Sequence, residues 1–421
     1  MSAIQWERNL AAKASRRKFL KGAAALAMSA PAIACGQHNE ASAKERHLAY
    51  VGTYSYREAP GSAGHGRGIY LFEMDPATGT LTERAVFPNA MNPSWLDLDP
   101  SRTHLYCIDE MSNFQGANTG AVSAYAIDRS NGHLTLLNTV SSGSSGPAYV
   151  SVHPSGKYAL VANYGGGSVA VLPIRPNGEL ASATDVQHDH GIVGPKHPTG
   201  GPRGNFSISG HEGPNAFHAH MVLSDPSARY VLSTDLAMDK ILVWKLDLET
   251  GKLTPNDPPS ASLPPGDGPR HFAFHPNGRW LYCLQEEAST LVLFHYDGAK
   301  GTLEMQQSVS TLPKGFAGTN FCSEVRVSPD GKFVYAANRL HDSVAIFSIG
   351  QGGRVTYEGE EWTRGDTPRS ITLDPAGNFL YSLNQLGDAI TTYRINRETG
   401  RLTFTGQYTP VGTPACMVFL T

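Results

Sequence analysis

The sequence predicts an all-β fold, a seven-bladed β-propeller in which four-stranded antiparallel blades surround a central channel. Three observations predict it. An apolar alternating segment recurs seven times, a hairpin pattern precedes six of the seven copies, and a strand-like segment at the end of the chain supplies what the first copy lacks. Several short strands in each repeat of this length are typical of propellers.

The recurring segment is a run of alternating apolar residues followed by a turn with Gly and Thr or Asn. Its seven copies begin at Gly68, Ala121, Ser168, Lys240, Thr290, Ser343 and Ala389. Successive starts are separated by 53, 47, 72, 50, 53 and 46 residues. Four short strands fill a period of about 45 to 50 residues, so each copy marks one blade.

The second pattern is a hairpin, seen best in the segment from Pro269 to Tyr282, where a Pro-Asn-Gly turn joins two apolar strands. Equivalent hairpins run over 93–106, 147–160, 218–232, 322–335 and 368–381. Turn chemistry and period-two alternation both favour antiparallel pairing.

The two ends of the domain complete one blade. Pro414-Ala-Cys-Met-Val-Phe-Leu matches the first strand of the hairpin, and His47-Leu-Ala-Tyr-Val-Gly matches the second. We therefore expect the C-terminal strand to join the N-terminal blade and close the ring, which removes an open seam between the first and last blades.

The N-terminal segment, residues 1–34, reads as a twin-arginine signal peptide. Arg16-Arg17 lies in a basic segment, an apolar run extends from Gly22 to Ala34, and Ala32-Ile33-Ala34 is a small-residue cleavage site. The apolar run is too short to span a bilayer as a helix, which needs about 20 residues. The sequence thus predicts a periplasmic or exported protein that depends on the twin-arginine export machinery.

Residues 35–46 are expected to form a linker and 47–421 the propeller domain. Cys35 follows the cleavage site directly and resembles the lipidated cysteine of a lipoprotein. A lipid on this residue is the only membrane attachment that we expect. The 72-residue spacing contains an insertion at about 182–215, rich in Gly, Pro and His. Insertions of this length are usually functional or mobile.

Charge excludes one class of partner. The chain has 34 basic and 37 acidic side chains, a net charge of −3, so no basic excess points to nucleic acid.

Polar residues gather where strands of the hairpins begin and end. Because antiparallel strands reverse direction, Arg270 at the start of one strand and Glu286 at the end of its partner share one rim. The same argument places these residues on that rim: Glu110, Asn163, Tyr164, His218, His220, Asp235, Arg339, Arg369, Asn384 and Gln385. Seven blades would direct them toward one central funnel, which is a binding-site hypothesis.

Other interpretations of these residues remain open. Arg270 and Arg369 both follow a proline and are alternatively structural, bonded to neighbouring carbonyls, while Arg339 is alternatively half of a rim salt bridge. Six histidines lie within 33 residues, at 188, 190, 197, 211, 218 and 220. Two His-x-His pairs suit zinc, but no cysteine pair or His-Glu-x-x-His helix accompanies them. We therefore predict neither a metal nor a cofactor.

These motifs together resemble the lactonase family of seven-bladed propellers, which includes propeller-type 6-phosphogluconolactonases and carboxy-muconate lactonising enzymes. The resemblance covers about residues 47–421. Its most specific pieces are Tyr50-Val-Gly-Thr-Tyr, Asn92-Pro-Ser, Ala162-Asn-Tyr-Gly-Gly-Gly-Ser, His218-Ala-His220, Gly268-Pro-Arg-His-Phe, Asn338-Arg339, His341-Asp-Ser and Pro368-Arg369.

The resemblance implies a catalytic group of His, Arg, Glu and Arg, which maps to His218 or His220, Arg270, Glu286 and Arg339. One departure affects the glutamate, because the family's Asn-Glu-Leu is Gln285-Glu286-Glu287 in this chain. Substrate contacts are expected from Glu110, Asn163, Tyr164, Arg369 and Asn384.

Hydrolysis of a sugar lactone is the function we expect, by analogy with 6-phosphogluconolactonase. The water proton would pass to Glu286, His218 or His220, while Arg270 and Arg339 stabilise the developing negative charge. Export favours an unphosphorylated aldonolactone, because phosphorylated sugar lactones belong to the cytoplasm. The alternatives are a non-catalytic propeller that binds a ligand or protein, and a lactonising isomerase acting on a muconate.

The signal peptide provides a first prediction. Replacing Arg16 and Arg17 together by Lys should retain the precursor in the cytoplasm, because the export machinery reads the arginine pair. Cell fractionation with immunodetection measures this, and Arg8→Lys is the matched control. Export of the double variant at the level of the control would contradict the assignment.

Overall fold

The computed structural model describes residues 47–56, 64–195 and 216–421. The predicted signal peptide, Cys35 and the predicted linker fall outside the described residues, and so does most of the predicted insertion. The described residues form 28 strands in seven sheets of four, together with one 3₁₀ turn at Gln351–Gly353. Nowhere in these ranges is there a helix with the length and apolar character needed to cross a membrane.

The strands are numbered in chain order and grouped by blade from the innermost outward. Blade 1 contains β28 (Pro414–Leu420), β1 (His47–Thr53), β2 (Gly68–Met74) and β3 (Leu81–Pro88). Blade 2 contains β4 (Trp95–Leu98), β5 (His104–Asp109), β6 (Ala121–Asp128) and β7 (His133–Ser141). Blade 3 contains β8 (Pro147–Val152), β9 (Tyr158–Asn163), β10 (Ser168–Pro173) and β11 (Asp185–His188).

The remaining four blades follow in order. Blade 4 contains β12 (Ala219–Ser224), β13 (Val231–Asp235), β14 (Lys240–Asp247) and β15 (Lys252–Ser262). Blade 5 contains β16 (Pro269–Phe274), β17 (Trp280–Gln285), β18 (Thr290–Asp297) and β19 (Thr302–Ser310). Blade 6 contains β20 (Cys322–Val327), β21 (Phe333–Asn338), β22 (Ser343–Ile349) and β23 (Val355–Trp362). Blade 7 contains β24 (Pro368–Leu373), β25 (Phe379–Asn384), β26 (Ala389–Ile395) and β27 (Leu402–Pro410).

The repeats in the sequence coincide with the blades. All seven recurring segments become the third strand of a blade, and each strand begins at the residue where its repeat begins. The predicted seven-bladed propeller is thus confirmed. One detail differs, because Asp185–His188 lies within the predicted insertion but pairs with β10 as the outermost strand of blade 3.

The ring closes through the C-terminal strand, as expected. β28 pairs antiparallel with β1, placing Leu420 opposite Leu48. As the innermost strand of blade 1, β28 also contacts β24 and β4, the innermost strands of the two flanking blades. The apolar side chains of the two middle strands fill the spaces between blades, which is why these strands are buried on both faces.

A tyrosine hydroxyl joins each blade to the next at the end of the blade opposite the predicted rim. Each tyrosine lies on or just before the second strand and donates to a backbone carbonyl in the turn between the third and fourth strands of the following blade. The pairs are Tyr50–Gly132, Tyr106–Gly178, Tyr158–Leu248, Tyr230–Ala299, Tyr282–Gly353, Tyr335–Gly400 and Tyr381–Gly79, at 2.8 to 3.2 Å.

Gly79 shows why glycine occurs in most of these turns. Its φ is +73°, a left-handed conformation that disfavours a side chain. An added Cβ would also lie 2.5 Å from the ring of Phe379 in blade 7. The bare turn therefore lets blade 1 approach blade 7 closely enough for Tyr381 to donate to the Gly79 carbonyl across the closing seam, at 3.0 Å.

We predict that Tyr381→Phe lowers the free energy of unfolding by about 1–2 kcal/mol, because it leaves the buried Gly79 carbonyl without its donor. Tyr408→Phe is the matched control, since Tyr408 is 54% exposed and should change stability little. Denaturant unfolding measures both. Equal stability of the two variants would show that the closing hydrogen bond contributes nothing measurable.

Candidate active site

Bulges at the start of the innermost strands position three of the predicted side chains. In blades 4, 5 and 7 the strand register shifts across His220, Arg270 and Arg369, so each of these residues is the extra one in its ladder. A bulge turns a side chain away from the regular alternation of the strand and is common beside functional sites. The sequence argument placed these residues at the rim, and the bulges explain how they are presented there.

Arg270, Glu286 and Arg339 form one buried cluster. Arg270 Nε lies 3.0 Å from Glu286 Oε2, and Arg339 Nη2 contacts Glu286 Oε1. Burial alone would raise the pKa of Glu286, but Arg339 and Arg270 outweigh it and hold this pKa below its ordinary value. Burial lowers the pKa of Arg270 to about 10, which still leaves the guanidinium charged at neutral pH.

The two arginines of this cluster differ in exposure. The Arg270 side chain is only 2% exposed, and its Nη1 donates to the backbone carbonyl of Ser323 in blade 6. A bond to a neighbouring carbonyl is the structural role that the sequence left open for Arg270. Arg270 makes this bond and also contacts Glu286. Arg339 is 12% exposed, so it is the member that a small ligand reaches more easily.

Arg369 carries a third positive charge at the same end of the channel. Its guanidinium carbon lies 5.0 Å from the ring centroid of Tyr54, and Nη2 lies 3.9 Å from Glu110 Oε2. That carboxylate oxygen also accepts hydrogen bonds from the Tyr54 hydroxyl, at 2.7 Å, and from Ser94 Oγ, at 2.5 Å. Glu110 therefore holds Arg369 in place from blade 2.

The two histidines have different surroundings. The His218 ring stacks on the Tyr164 ring at 4.4 Å, its Nδ1 lies 3.1 Å from the Tyr164 carbonyl, and its backbone N–H donates to Asp235. His220 is 5% exposed and contacts Tyr164 edge-on at 5.5 Å. Burial holds the pKa of His220 well below its ordinary value, and the nearby Arg270 lowers it further. The His220 imidazole is therefore neutral at neutral pH.

The structure does not bring Asn163 and Asn384 into contact with this cluster. Both amides are fully buried and donate to a carbonyl just beyond the outermost strand of the preceding blade, at Ser142 and Thr363 respectively. Asn338 makes the equivalent bond to the Thr311 carbonyl in blade 6. This repeated bond between adjacent blades explains why an amide recurs at the end of the second strand.

The rim argument did not predict three residues that lie near the cluster. Tyr54 contacts Glu110, while His271 and Glu324 are buried on innermost strands beside His220 and Arg270. The available signal was a charged residue inside an otherwise apolar strand, as in Cys322-Ser-Glu-Val-Arg-Val. For Tyr54 the available signal was its place at the end of the motif Tyr50-Val-Gly-Thr-Tyr.

The histidine-rich insertion is only partly described. His188 and His190 are exposed, whereas His197 and His211 lie outside the described residues. Within the residues that the structure does cover, no three His, Cys, Asp or Glu side chains come together as metal ligands would. The four cysteines at positions 107, 283, 322 and 416 are buried free thiols.

The cluster is suited to an anion. Three guanidinium groups, at Arg270, Arg339 and Arg369, face two carboxylates, at Glu286 and Glu110, which leaves one surplus positive charge among these five groups. The neutral imidazole of His220 lies alongside. Such a set can remove a proton from water and stabilise a negative charge that develops on an acyl oxygen.

A seven-bladed propeller with this site belongs to the class of propeller enzymes that act on esters and lactones. The family model for the seven-bladed β-propeller lactonases matches residues 48–419. The chain therefore belongs to the lactonase family, and as a lactonase it is a carboxylic ester hydrolase.

Individual relatives agree with this assignment. The 6-phosphogluconolactonase of Bacillus subtilis is 33% identical over 376 residues, which cover 89% of this chain and 99% of that protein. The 6-phosphogluconolactonase of Formosa agariphila is 29% identical and covers 80% of this chain and 91% of its own length. Among solved structures, the periplasmic gluconolactonase of Pseudomonas aeruginosa is 28% identical with a TM-score of 0.78, covering 90% of this chain and 99% of that one.

We predict that Glu286→Gln lowers the free energy of unfolding at pH 7 by about 3 kcal/mol, because it leaves two buried guanidinium groups without their counter-charge. The pKa of Glu286 is lowered in the folded protein. The ionised carboxylate therefore stabilises the fold above about pH 4.5, and this stabilisation is lost as the pH falls through the lowered pKa of the folded protein. The difference between wild type and variant should therefore shrink in acid.

Glu83→Gln is the control, because Glu83 pairs with Arg67 on the surface and is 43% exposed. Denaturant unfolding at pH 7 and pH 4 measures all three proteins. A Glu286→Gln variant as stable as the control at pH 7 would contradict the importance of the buried cluster.

Proposed function

We propose that this protein hydrolyses an unphosphorylated sugar lactone, an aldonolactone, in the periplasm. The observation that carries the proposal is the juxtaposition of three guanidinium groups with a neutral, buried histidine at one end of the channel. Both catalytic requirements of lactone opening, a proton acceptor and a stabilised oxyanion, are met by these side chains.

The reaction begins with attack of a water oxygen on the lactone carbonyl carbon. A histidine accepts the water proton, and the carbonyl oxygen becomes an oxyanion beside the guanidinium groups. The acyl–oxygen bond of the ring then breaks, and the imidazolium returns the proton to the departing ring oxygen. The product is an open-chain hydroxy acid, which ionises to an aldonate.

Glu286 is better suited to holding the arginines than to accepting the proton. Its two oxygens contact Arg270 and Arg339, and its pKa is lowered by them. A catalytic base must be within hydrogen-bond reach of the water whose proton it accepts, and both oxygens of Glu286 are already engaged by guanidinium groups. Of the three residues that the sequence left open, His218 and His220 therefore remain.

Charge balance favours an unphosphorylated substrate. The single surplus positive charge of the five-group cluster matches the one negative charge that develops on the oxyanion and persists on the aldonate. A phosphate group would add up to two further negative charges, and no additional cation of this cluster is left to pair with them. The arginines of this proposal bind the carbonyl oxygen of the lactone and, after the ring has opened, the carboxylate of the product.

The proposed compartment agrees with this substrate. The segment around Arg16-Arg17 reads as an export signal, and the solved structure from Pseudomonas aeruginosa is described as a periplasmic gluconolactonase. An exported lactonase would meet sugars before they are phosphorylated, so the unphosphorylated lactone is the form available to it.

We predict faster turnover of glucono-δ-lactone than of 6-phosphoglucono-δ-lactone, by about tenfold or more in kcat/KM. Acid release at fixed pH measures both rates, after subtraction of spontaneous hydrolysis in buffer. A preference for the phosphorylated lactone would contradict the proposed substrate, and absorbance change on a muconate with no lactone hydrolysis would favour the isomerase alternative.

Arg270→Ala should abolish lactone turnover, with a fall of at least about a hundredfold in kcat/KM, because it removes a cation that supports the oxyanion. Circular dichroism verifies the fold, and Arg67→Ala is the surface control. Should Arg270→Ala fail to fold, Arg339→Ala tests the same charge at a more exposed position. Full activity in a folded variant would remove that arginine from the mechanism.

A further inference from the structure

Three buried side chains from three adjacent blades form a hydrogen-bonded chain that ends at His220. His220 on β12 has its Nδ1 3.1 Å from Nε2 of His271 on β16. The other nitrogen of that ring, His271 Nδ1, lies 3.2 Å from Oε2 of Glu324 on β20. His271 is 1% exposed and Glu324 is 2% exposed, so neither one contacts bulk solvent. The mechanism above assigns no role to His271 or Glu324.

The positions of His271 and Glu324 are fixed from several directions. The His271 ring meets the edges or faces of the Trp95 and Tyr149 rings at 5.1 and 5.3 Å, which come from the innermost strands of blades 2 and 3. Glu324 Oε2 also lies 3.6 Å from Arg326 Nη2 and 3.4 Å from Ser370 Oγ. In this packing His271 bridges Glu324 and His220.

The chemistry of Glu324 determines where the protons lie along this chain. Burial would raise the pKa of Glu324, but Arg326 and His271 lower it to about 2, so the group is a carboxylate that only accepts hydrogen bonds. Burial lowers the pKa of His271 to about 4, so its ring is neutral and carries one proton. That proton must be on Nδ1, which faces the carboxylate.

The same reasoning extends to the next ring. With its proton on Nδ1, His271 presents a lone pair at Nε2, which accepts a hydrogen bond. His220 Nδ1 must therefore be the donor in the contact between the two rings. Because the His220 ring is neutral, its Nε2 then carries a lone pair and is able to accept a proton.

We propose that His271 and Glu324 are positioning residues that keep the proton of His220 on Nδ1 and so leave its Nε2 as the base for lactone opening. This inference rests on the proposed function and deepens it, since it selects His220 over His218. The hydrogen of an attacking water passes to His220 Nε2 as the new carbon–oxygen bond forms. The same proton later protonates the ring oxygen when the acyl–oxygen bond breaks.

The chain also favours the charged intermediate. While His220 holds the water proton, its Nδ1–H still donates to His271, and the negative charge of Glu324 lies one imidazole away. This partly offsets the groups that face His220 and disfavour its protonation, which are Arg270 and His271 on β16 and Arg369 on β24. Tyr164 contributes a ring edge after β9.

Glu324→Gln tests the proposal. An amide that donates to His271 Nδ1 moves the His271 proton to Nε2, which forces the His220 proton onto its own Nε2 and removes the base. We expect kcat on glucono-δ-lactone to fall at least about a hundredfold, because a general base contributes about 10²–10⁴-fold to the rate. KM should change less than about threefold. Wild-type kcat should be level around neutral pH, whereas the residual rate of the variant should rise steadily with pH as hydroxide replaces the base.

Asp225→Asn is the matched control, because it also converts a buried carboxylate to an amide but lies in a turn at the opposite end of blade 4. It should keep the wild-type kcat and the level pH profile. A folded Glu324→Gln variant with wild-type kcat and pH profile overturns the relay. A wild type that opens no lactone overturns the proposed function instead, so the two failures are distinguishable.

Nitrogen NMR of the wild-type histidines tests the same claim without relying on a folded Glu324→Gln variant. In histidine-labelled protein, signals lost in His220→Gln identify the two His220 nitrogens. The proposal requires the proton on Nδ1 and an unprotonated Nε2 at pH 7. A proton on Nε2 overturns it.

Discussion

The hydrogen bond from a tyrosine in each blade to a backbone turn in the next is the constraint on which the rest of the molecule depends. It occurs at every one of the seven junctions, including the seam between blades 7 and 1, where Tyr381 donates to Gly79. Such a ring sets the distance and angle between blades at one end. The opposite ends of the blades are therefore held at fixed distances around the channel, where the charged side chains meet.

The site needs that precision because each blade contributes to it. Tyr54 and Glu110 come from blades 1 and 2, and Tyr164 and His220 from blades 3 and 4. Blades 5 to 7 supply the arginines. Buried charges are costly unless their partners are placed well, so a cluster built from separate blades is stable only if the ring holds them in register. The bulges at His220, Arg270 and Arg369 then present these side chains within a frame that does not need to move.

The sequence predicted the fold closely because its signals are local and repeated. Alternation, turn chemistry and spacing all recur, so each blade supports the assignment of the others, and the unmatched strand at Pro414 predicted the closure. The site was predicted less completely. The rim argument found Arg270, Glu286 and Arg339. It also placed Asn163 and Asn384 among the substrate contacts, although these amides bond one blade to the next. Direction along a strand is readable from sequence, whereas a bulge or a partner in another blade is not.

His271 illustrates this limit. Its place next to Arg270 was visible in the sequence, but its role depends on Glu324, which lies 53 residues further along the chain on another blade. The most direct test of the whole account is a crystal structure of the wild-type protein with gluconate bound. The account predicts the carboxylate of gluconate against the guanidinium groups of Arg339 and Arg369, with His220 Nε2 facing its first carbons. Gluconate bound at the opposite end of the channel, or away from these arginines, would contradict it.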